Sequence, residues 1–361
     1  MKLYRSTKLN FKFATKHKMA LFASVLKEYS AVVNFFIHHF WENTPMKVEL
    51  LKPIVDLPDT WLSFTMRQIA AREAIDMINA CRKKKRITMP IHRGNRIQAS
   101  SLIASLQTAK TATGFDLWLH LRNIGNHIIL DIPVKLHKHY HRLLNRGRQL
   151  NSYVLSKGGV QLCFEIKTDP KKEEGKILGL DTGIKTLATL SDGRKFGQEI
   201  ETIIERINRC RHGSKHQKQL RRFLKHRMDE VCKEIYTDNI RLIVIEKLKN
   251  MQYKMRLKRR LSKNMRRVVG SWAYRYWLDR LKMGSEDNRV VFRSVPARNT
   301  SIMCSACDHT DKKNRQSQET FLCQNCGHSE NADVNAAKNI LAHFLSGPYG
   351  AGFKVVPTGA I

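Results

Sequence analysis

Three segments, far apart in the chain, each place one carboxylate where an apolar strand ends or a helix begins. KILGLDTGIKTLATLSDG (176–193) carries Asp181, LIVIEKLKNM (242–251) carries Glu246, and NADVNAAKNI (331–340) carries Asp333 directly after a four-cysteine segment. An apolar run ending in an acid reads as a buried strand whose tip meets solvent. Such tips can converge when their strands lie side by side in one sheet. Asp333 falls in the first turn of an expected helix, four, seven and eleven residues before Ala337, Ile340 and Phe344. That puts it at the head of an apolar stripe facing the sheet, at the helix end that favours a negative charge.

Convergent carboxylates bind divalent cations, and the charge balance says what the cation would act on. The 361 residues hold 65 Lys and Arg against 31 Asp and Glu, a net charge of +34. That excess repels itself unless a polyanion neutralises it, and nucleic acid is the ordinary polyanion. A hydrophobic fraction of 42% suits folded domains rather than a disordered chain. The apolar run after Ala31 is broken by Asn34, His38 and His39, so no membrane span is expected, and the N-terminus lacks the apolar core of a signal peptide.

Cys304, Cys307, Cys323 and Cys326 make C-x₂-C-x₁₅-C-x₂-C, the spacing of a tetrathiolate zinc site. Four thiolates leave no open coordination position, so the expected metal is structural. Cys81, Cys163, Cys210 and Cys232 are expected as small buried hydrophobes, and the whole pattern fits a reducing cytosol. His328 and Glu330 resemble a deaminase HxE pair but follow the cysteines rather than precede them, which excludes that reading.

Residues 1–13 alternate like a strand. A helix is expected from Thr15 to Trp41 and a second from Asp59 to Cys81, its stripe Met66, Ala70, Ala74, Met77, Ile78 and Cys81. The second runs into the basic patch 82–86. Residues 87–167 read as short strands, clearest at 115–121, 127–134 and 160–166. Together these give a basic β-barrel (1–14 and 85–170) interrupted by a helical insertion (15–84). Beyond a polar linker at 171–175 come strands at 176–181, 185–190 and 194–197 with a turn at Asp192-Gly193, helices over 199–236, and a buried strand over 240–245. A helix over 264–283, a strand over 289–295 and a helix over 332–345 complete an α/β domain (171–299 and 329–345). The cysteine module (300–328) is inserted in it, and a Gly-rich tail (346–361) is expected to be flexible. Gly183 is expected to leave room for a phosphate.

Two basic blocks point to phosphate contact, with nine Lys or Arg and three His in Arg206–Arg227 and eight Lys or Arg in Lys254–Arg267. Trp272, Tyr274, Tyr276 and Trp277 are expected to pack in the core rather than stack on bases.

The strings GLDTGIKTLATLSDG, VIEKLKNM, the 300–328 cysteine segment and NADVNAAKNIL together resemble the TnpB family of insertion-sequence proteins, whose RuvC core recurs in type V CRISPR effectors. The match is close over the C-terminal half and holds only in plan over the N-terminal half. The resemblance implies an RNase H-like (RuvC) nuclease with Asp181, Glu246 and Asp333 as ligands of Mg²⁺ or Mn²⁺. It implies a guide RNA from the element's own end, double-stranded target DNA beside a short flanking motif, and work in the bacterial cytoplasm or nucleoid. A separate tyrosine transposase is the implied partner for strand joining. The chain departs from the family at Asp308, where glycine is usual in the first knuckle, and at Asn331, where an acid is common. Asp tolerates φ > 0 better than most residues, so metal binding by the knuckle is still expected.

Overall fold

The computed structural model describes residues 2–42, 52–84, 88–110, 114–247, 267–268, 270–296, 298–348, 350 and 353. Part of the patch 82–86, nearly all of the block Lys254–Arg267 and most of the tail therefore lie outside the described residues. The chain divides into two compact units, Met1–Thr168 and Asp169–Ile361.

The first unit is built on one core shared by helices and strands. Strand β1 (Lys2–Leu9) pairs antiparallel with β7 (Gly159–Lys167), which pairs with β6 (Gly147–Ser156), and β6 with β2 (Ile97–Ser100). A second sheet holds β3 (Ala104–Thr108), β4 (Leu117–Leu121) and β5 (Leu130–Val134). The expected barrel is thus two antiparallel sheets, of four and three strands, with no hydrogen-bonded closure among the described residues. Ser100 to Ile103 turns the chain out of the first sheet and into the second. The sequence pattern gave the strands, but which edges pair is a long-range choice that alternation does not carry.

Between β1 and β2 run α1 (Lys16–Trp41), the single turn α2 (Lys52–Val55) and α3 (Phe64–Lys83). Thr15 caps α1 by accepting the Lys18 N–H. By length and mean hydropathy α1 could cross a bilayer, which unbroken-run counting had excluded. Its stripe from Phe22 through Tyr29, Val33 and Phe36 to Phe40 is instead buried in the unit's core. Helix α3 starts at Phe64, five residues later than expected. Ser63 caps it, and Leu62 is bridged to Gly125, which holds the chain extended up to the cap. At Gly125 a Cβ would overlap the Trp61 carbonyl, so the bridge depends on glycine. Glu73 of α3 is 1% exposed, which no periodicity foretold. It accepts from Tyr29 Oη at 2.8 Å and pairs with Arg96 at 3.1 Å. A short helix, α4 (Lys138–Leu144), stands where only strands and turns were expected.

In the second unit β8 (Lys176–Asp181), β9 (Ala188–Leu190) and β10 (Lys195–Phe196) form an antiparallel meander. Gly193, at φ +92°, sits in the expected Asp-Gly turn between β9 and β10. On the other side β11 (Ile240–Glu246) runs parallel to β8, and β12 (Val291–Val295) parallel to β11, for an order β10-β9-β8-β11-β12. Helices α5 (Ile200–Arg209), α6 (Lys215–Ile235) and α7 (Tyr274–Asp287) share an apolar core with the sheet. Trp272, Tyr274 and Trp277 are buried in it as expected, while Tyr276 is half-buried and donates to Asp229 at 2.7 Å. Helix α8 (Ala332–Leu345) packs Ile340 and Phe344 against Leu242, Val244 and Val295. Phe353 of the tail lies on Phe344, with the Arg241 guanidinium 4.8 Å from its ring. Of the four scattered cysteines only Cys232 is buried; Cys81, Cys163 and Cys210 are partly exposed.

Candidate metal centre

Strands β8 and β11 are parallel neighbours with Leu180 opposite Ile245, so Asp181 and Glu246 end them side by side at one edge of the sheet. The third acid arrives on α8. Asn331 caps that helix through its side-chain oxygen, accepting the N–H of Asp333 at 3.2 Å and of Val334 at 3.4 Å. The departure at Asn331 therefore supplies a cap in place of a charge.

What lets α8 lie close enough is Gly179, two residues before Asp181. A Cβ there would overlap the carbonyl oxygen of Ala337, one turn beyond Asp333. Backbone meets backbone at this contact, and Asp333 is thereby set near the tip of β8. Gly183, by contrast, leaves no vacant room. Its N–H bonds Thr186 O at 3.1 Å, and a Cβ would press on that same oxygen, so the glycine serves the turn rather than a phosphate.

The carboxylates act on one another. Burial, then the charges of Glu246 and Asp333, push the Asp181 carboxyl up to about 7, against the Thr182 N–H and Arg315, which favour the anion. A partly buried acid with two acidic neighbours is a site short of positive charge. Two groups that sequence reasoning missed complete it. The Thr300 hydroxyl, 2% exposed, donates to Glu246 Oε1, and Arg315 Nη2 lies 3.3 Å from Asp333 Oδ1. Arg315 sits in the spacer between the cysteine pairs, where nothing local marks it. The faint signal for Thr300 was its place just before the first cysteine.

The four Sγ atoms of Cys304, Cys307, Cys323 and Cys326 all lie within 4.8 Å of one another. Each pair is wrapped by the same turn. Asp308 N–H bonds Cys304 O at 3.0 Å and Gly327 N–H bonds Cys323 O at 3.1 Å, with φ of +59° and +71° at the two positions. Asp308 thus adopts the left-handed geometry that its glycine counterpart takes. Backbone N–H groups of Ala306 and Asn325 point at the sulfurs of Cys304 and Cys323 at 3.4 Å. The N–H of His309 first of all, then the neighbouring Cys326, draws the Cys307 thiol down to about 7. Donors aimed at sulfur favour thiolates, and four converging thiolates suit a tetrahedral metal such as zinc.

The cysteine module is bolted to α8. Asn335 and Asn339, one turn apart and 0% and 1% exposed, donate to Met303 O at 2.8 and 2.7 Å, and Asn339 also to Thr300 O at 2.9 Å. The helix that carries Asp333 thus fixes the segment whose Thr300 holds Glu246. Glu330 is occupied by Lys338 at 2.6 Å, Ser305 at 2.6 Å and His328 at 3.0 Å.

Comparison with known proteins bears on the same region. Residues 274–340 match the family model described as Cas12f1-like, TNB domain. The chain is 33% identical over 215 residues to the putative RNA-guided DNA endonuclease InsQ of Escherichia coli K12, spanning 51% of this chain and 52% of that protein. It is 29% identical over 126 residues to a TnpB-like protein of Aquifex aeolicus, covering 40% of it. The chain thus spans about half the length of the curated relatives it matches. Among solved structures, the Cas12f1–sgRNA–target DNA complex superposes with a TM-score of 0.58 at 13% identity, over 91% of this chain and 83% of that one. The mini-RNA-guided endonuclease Cas-phi3 gives 0.55 at 10% identity, over 95% and 92%. At these identities the likeness is one of fold.

Proposed function

We propose that this chain, which belongs to the TnpB family, is an RNA-guided DNA endonuclease of an insertion sequence that cleaves phosphodiesters at Asp181, Glu246 and Asp333. The observation that carries the reading is the convergence of three acids at the tip of two parallel strands, where burial and then the charges of Glu246 and Asp333 lift Asp181 to about 7. The sheet order, an antiparallel meander continued by two parallel strands, supports an RNase H-like (RuvC) core. The names of the relatives support a guide RNA and a DNA target.

The three carboxylates would hold Mg²⁺ or Mn²⁺, which when bound supplies Lewis-acid activation of water and stabilises the leaving oxygen. Until a cation arrives, Asp181 shares its charge with a proton. Thr300 fixes the rotamer of Glu246, and Arg315 offsets the charge of Asp333. The cysteine module would hold zinc as a closed structural site. The first unit's sheets and helices are read as the barrel and insertion that carry the guide and the flanking motif. The guide would come from the element's own end, in the bacterial cytoplasm or nucleoid, with a separate tyrosine transposase for strand joining.

The test is expression with native flanking DNA, followed by sequencing of the copurified RNA and cleavage of a matching duplex. One discrete RNA extending past the element's end, with cutting lost in Asp181→Ala but guided binding kept, is the expected result. Heterogeneous cellular RNA would leave an unguided nuclease. A discrete RNA with no cutting by the parent chain would make it a silent guided DNA binder.

A further inference from the structure

The basic run Arg206–Arg227 is sorted by the fold into spent and unspent charge. Arg227 is taken up by Glu199 at 2.6 Å and Glu230 at 2.7 Å, and Arg209 by Glu205 at 3.5 Å. Lys218 and Arg222 lie exposed on α6. Arg211, His212 and Arg221, the first two also exposed, line a cleft of about 610 Å³, where Arg267 joins them from the segment before α7. Among the described residues none of these four has an acidic partner. In the same lining, Ser271, 6% exposed, donates to Asn208 Oδ1 at 2.6 Å. That fixes the amide and leaves Asn208 Nδ2 buried with no hydrogen-bond partner.

A fixed, unpartnered N–H donor on a residue that lines the same cleft as three unpaired guanidiniums is complementary to a group that only accepts and carries negative charge. In a chain of net charge +34 that group is phosphate. The volume is that of a small-ligand cleft, about 300–1,000 Å³, enough for a short stretch of one strand and too little for a duplex. We propose that this cleft binds the backbone phosphates of a single nucleic-acid strand threaded between the α5–α6 turn and the start of α7. None of the three carboxylates lines this cleft, and the proposal deepens the nucleic-acid reading above, on which it rests. It can fail while cleavage stands, and it can stand in a chain that does not cleave.

Cys210 lines the same cleft and is partly exposed, so it reports occupancy. The experiment measures iodoacetamide labelling of Cys210 in the full chain by peptide mass spectrometry, with and without the tetranucleotides r(U)₄ and d(T)₄. At about ten times the dissociation constant, mass action slows labelling roughly tenfold. Protection by both strands means phosphate is read irrespective of sugar. Protection by r(U)₄ alone assigns the cleft to the guide, and by d(T)₄ alone to a DNA strand. Protection should vanish in Arg211→Ala/Arg221→Ala/Arg267→Ala and persist in the charge-matched Lys218→Ala/Arg222→Ala/Lys233→Ala. Asn208→Asp, which sets an anion at the same place with little change of shape, should abolish it too. Unchanged Cys210 labelling at tetranucleotide concentrations that anisotropy shows to be saturating would overturn the proposal, as would full protection in the Asn208→Asp chain.

Discussion

Asp181 pays for its position in the metal-free protein. Its carboxyl sits near 3.8 in a free chain and at about 7 in the fold, chiefly because burial and then Glu246 and Asp333 disfavour the anion. The folded state therefore holds a proton that the unfolded state has already released. Stability falls as pH rises from about 4 to about 7, and the full cost is present above 7. Asp181→Asn should raise metal-free stability above pH 7 by up to about 4 kcal/mol, the gain fading toward pH 4. Urea melts at pH 5 and pH 8 in magnesium-free buffer check this, and an equal gain at both would refute the raised Asp181 pKa. Thr300 belongs to the same scale. Thr300→Val keeps the shape and removes the donor to Glu246, so Mn²⁺ affinity by calorimetry should weaken by about tenfold or more, with Thr300→Ser restoring it. Equal affinities in the Val and Ser variants would show that the hydroxyl does not position the ligand.

At the scale of elements, the site is the meeting of two strand tips and one helix end. Gly179 decides how closely α8 can lie on β8. Gly179→Ala forces the Ala337 carbonyl away and should cost about 1–3 kcal/mol or more, as overpacking does in a filled core. Thermal melting of the full chain reads the loss, and an unchanged melting temperature would mean that α8 is free to shift. The strand tips were legible from local pattern, while the Asn331 cap emerged only in the fold. The close approach was not legible either, because a lone glycine in a strand has many causes and its partner lies 158 residues away. The barrel shows the same limit. Alternation marks β1, β4, β5 and β7, but the split into two sheets follows from edge pairings that alternation leaves open. Helix α3 starts five residues later than its periodicity predicts because Leu62 bridges Gly125, a contact outside any local window.

For the whole molecule, two compact units divide the chain, and the cysteine module, with a small apolar cluster of its own, belongs with the second. Its Asn335 and Asn339 bonds tie it to the helix that carries Asp333. Stripping metal from the four thiols with a mercurial should therefore expose α8 to hydrogen exchange and lower the stability of residues 169–361. The slowest amides of α1 and α3 should keep their protection. Equal loss of protection in both units would mean that the metal stabilises more than its own core. Cys323→Ser should reproduce the stripped state without the reagent.

The sequence by itself determined what depends on near neighbours: the carboxylate at each strand tip, the cysteine spacing and its left-handed turns, the start of α1 at Thr15, and the charge that calls for a polyanion. These follow from periodicity of 2 or 3.6 residues, from side-chain capping and from backbone sterics, all set within a few residues. Tertiary structure alone decided the burial of Glu73, the reach of Thr300 and Arg315 to the acids, and which arginines of a long basic run converge on one cleft. Each of those depends on which distant segments pack together, and the free energy of that packing is shared among contacts too far apart for any local window to hold.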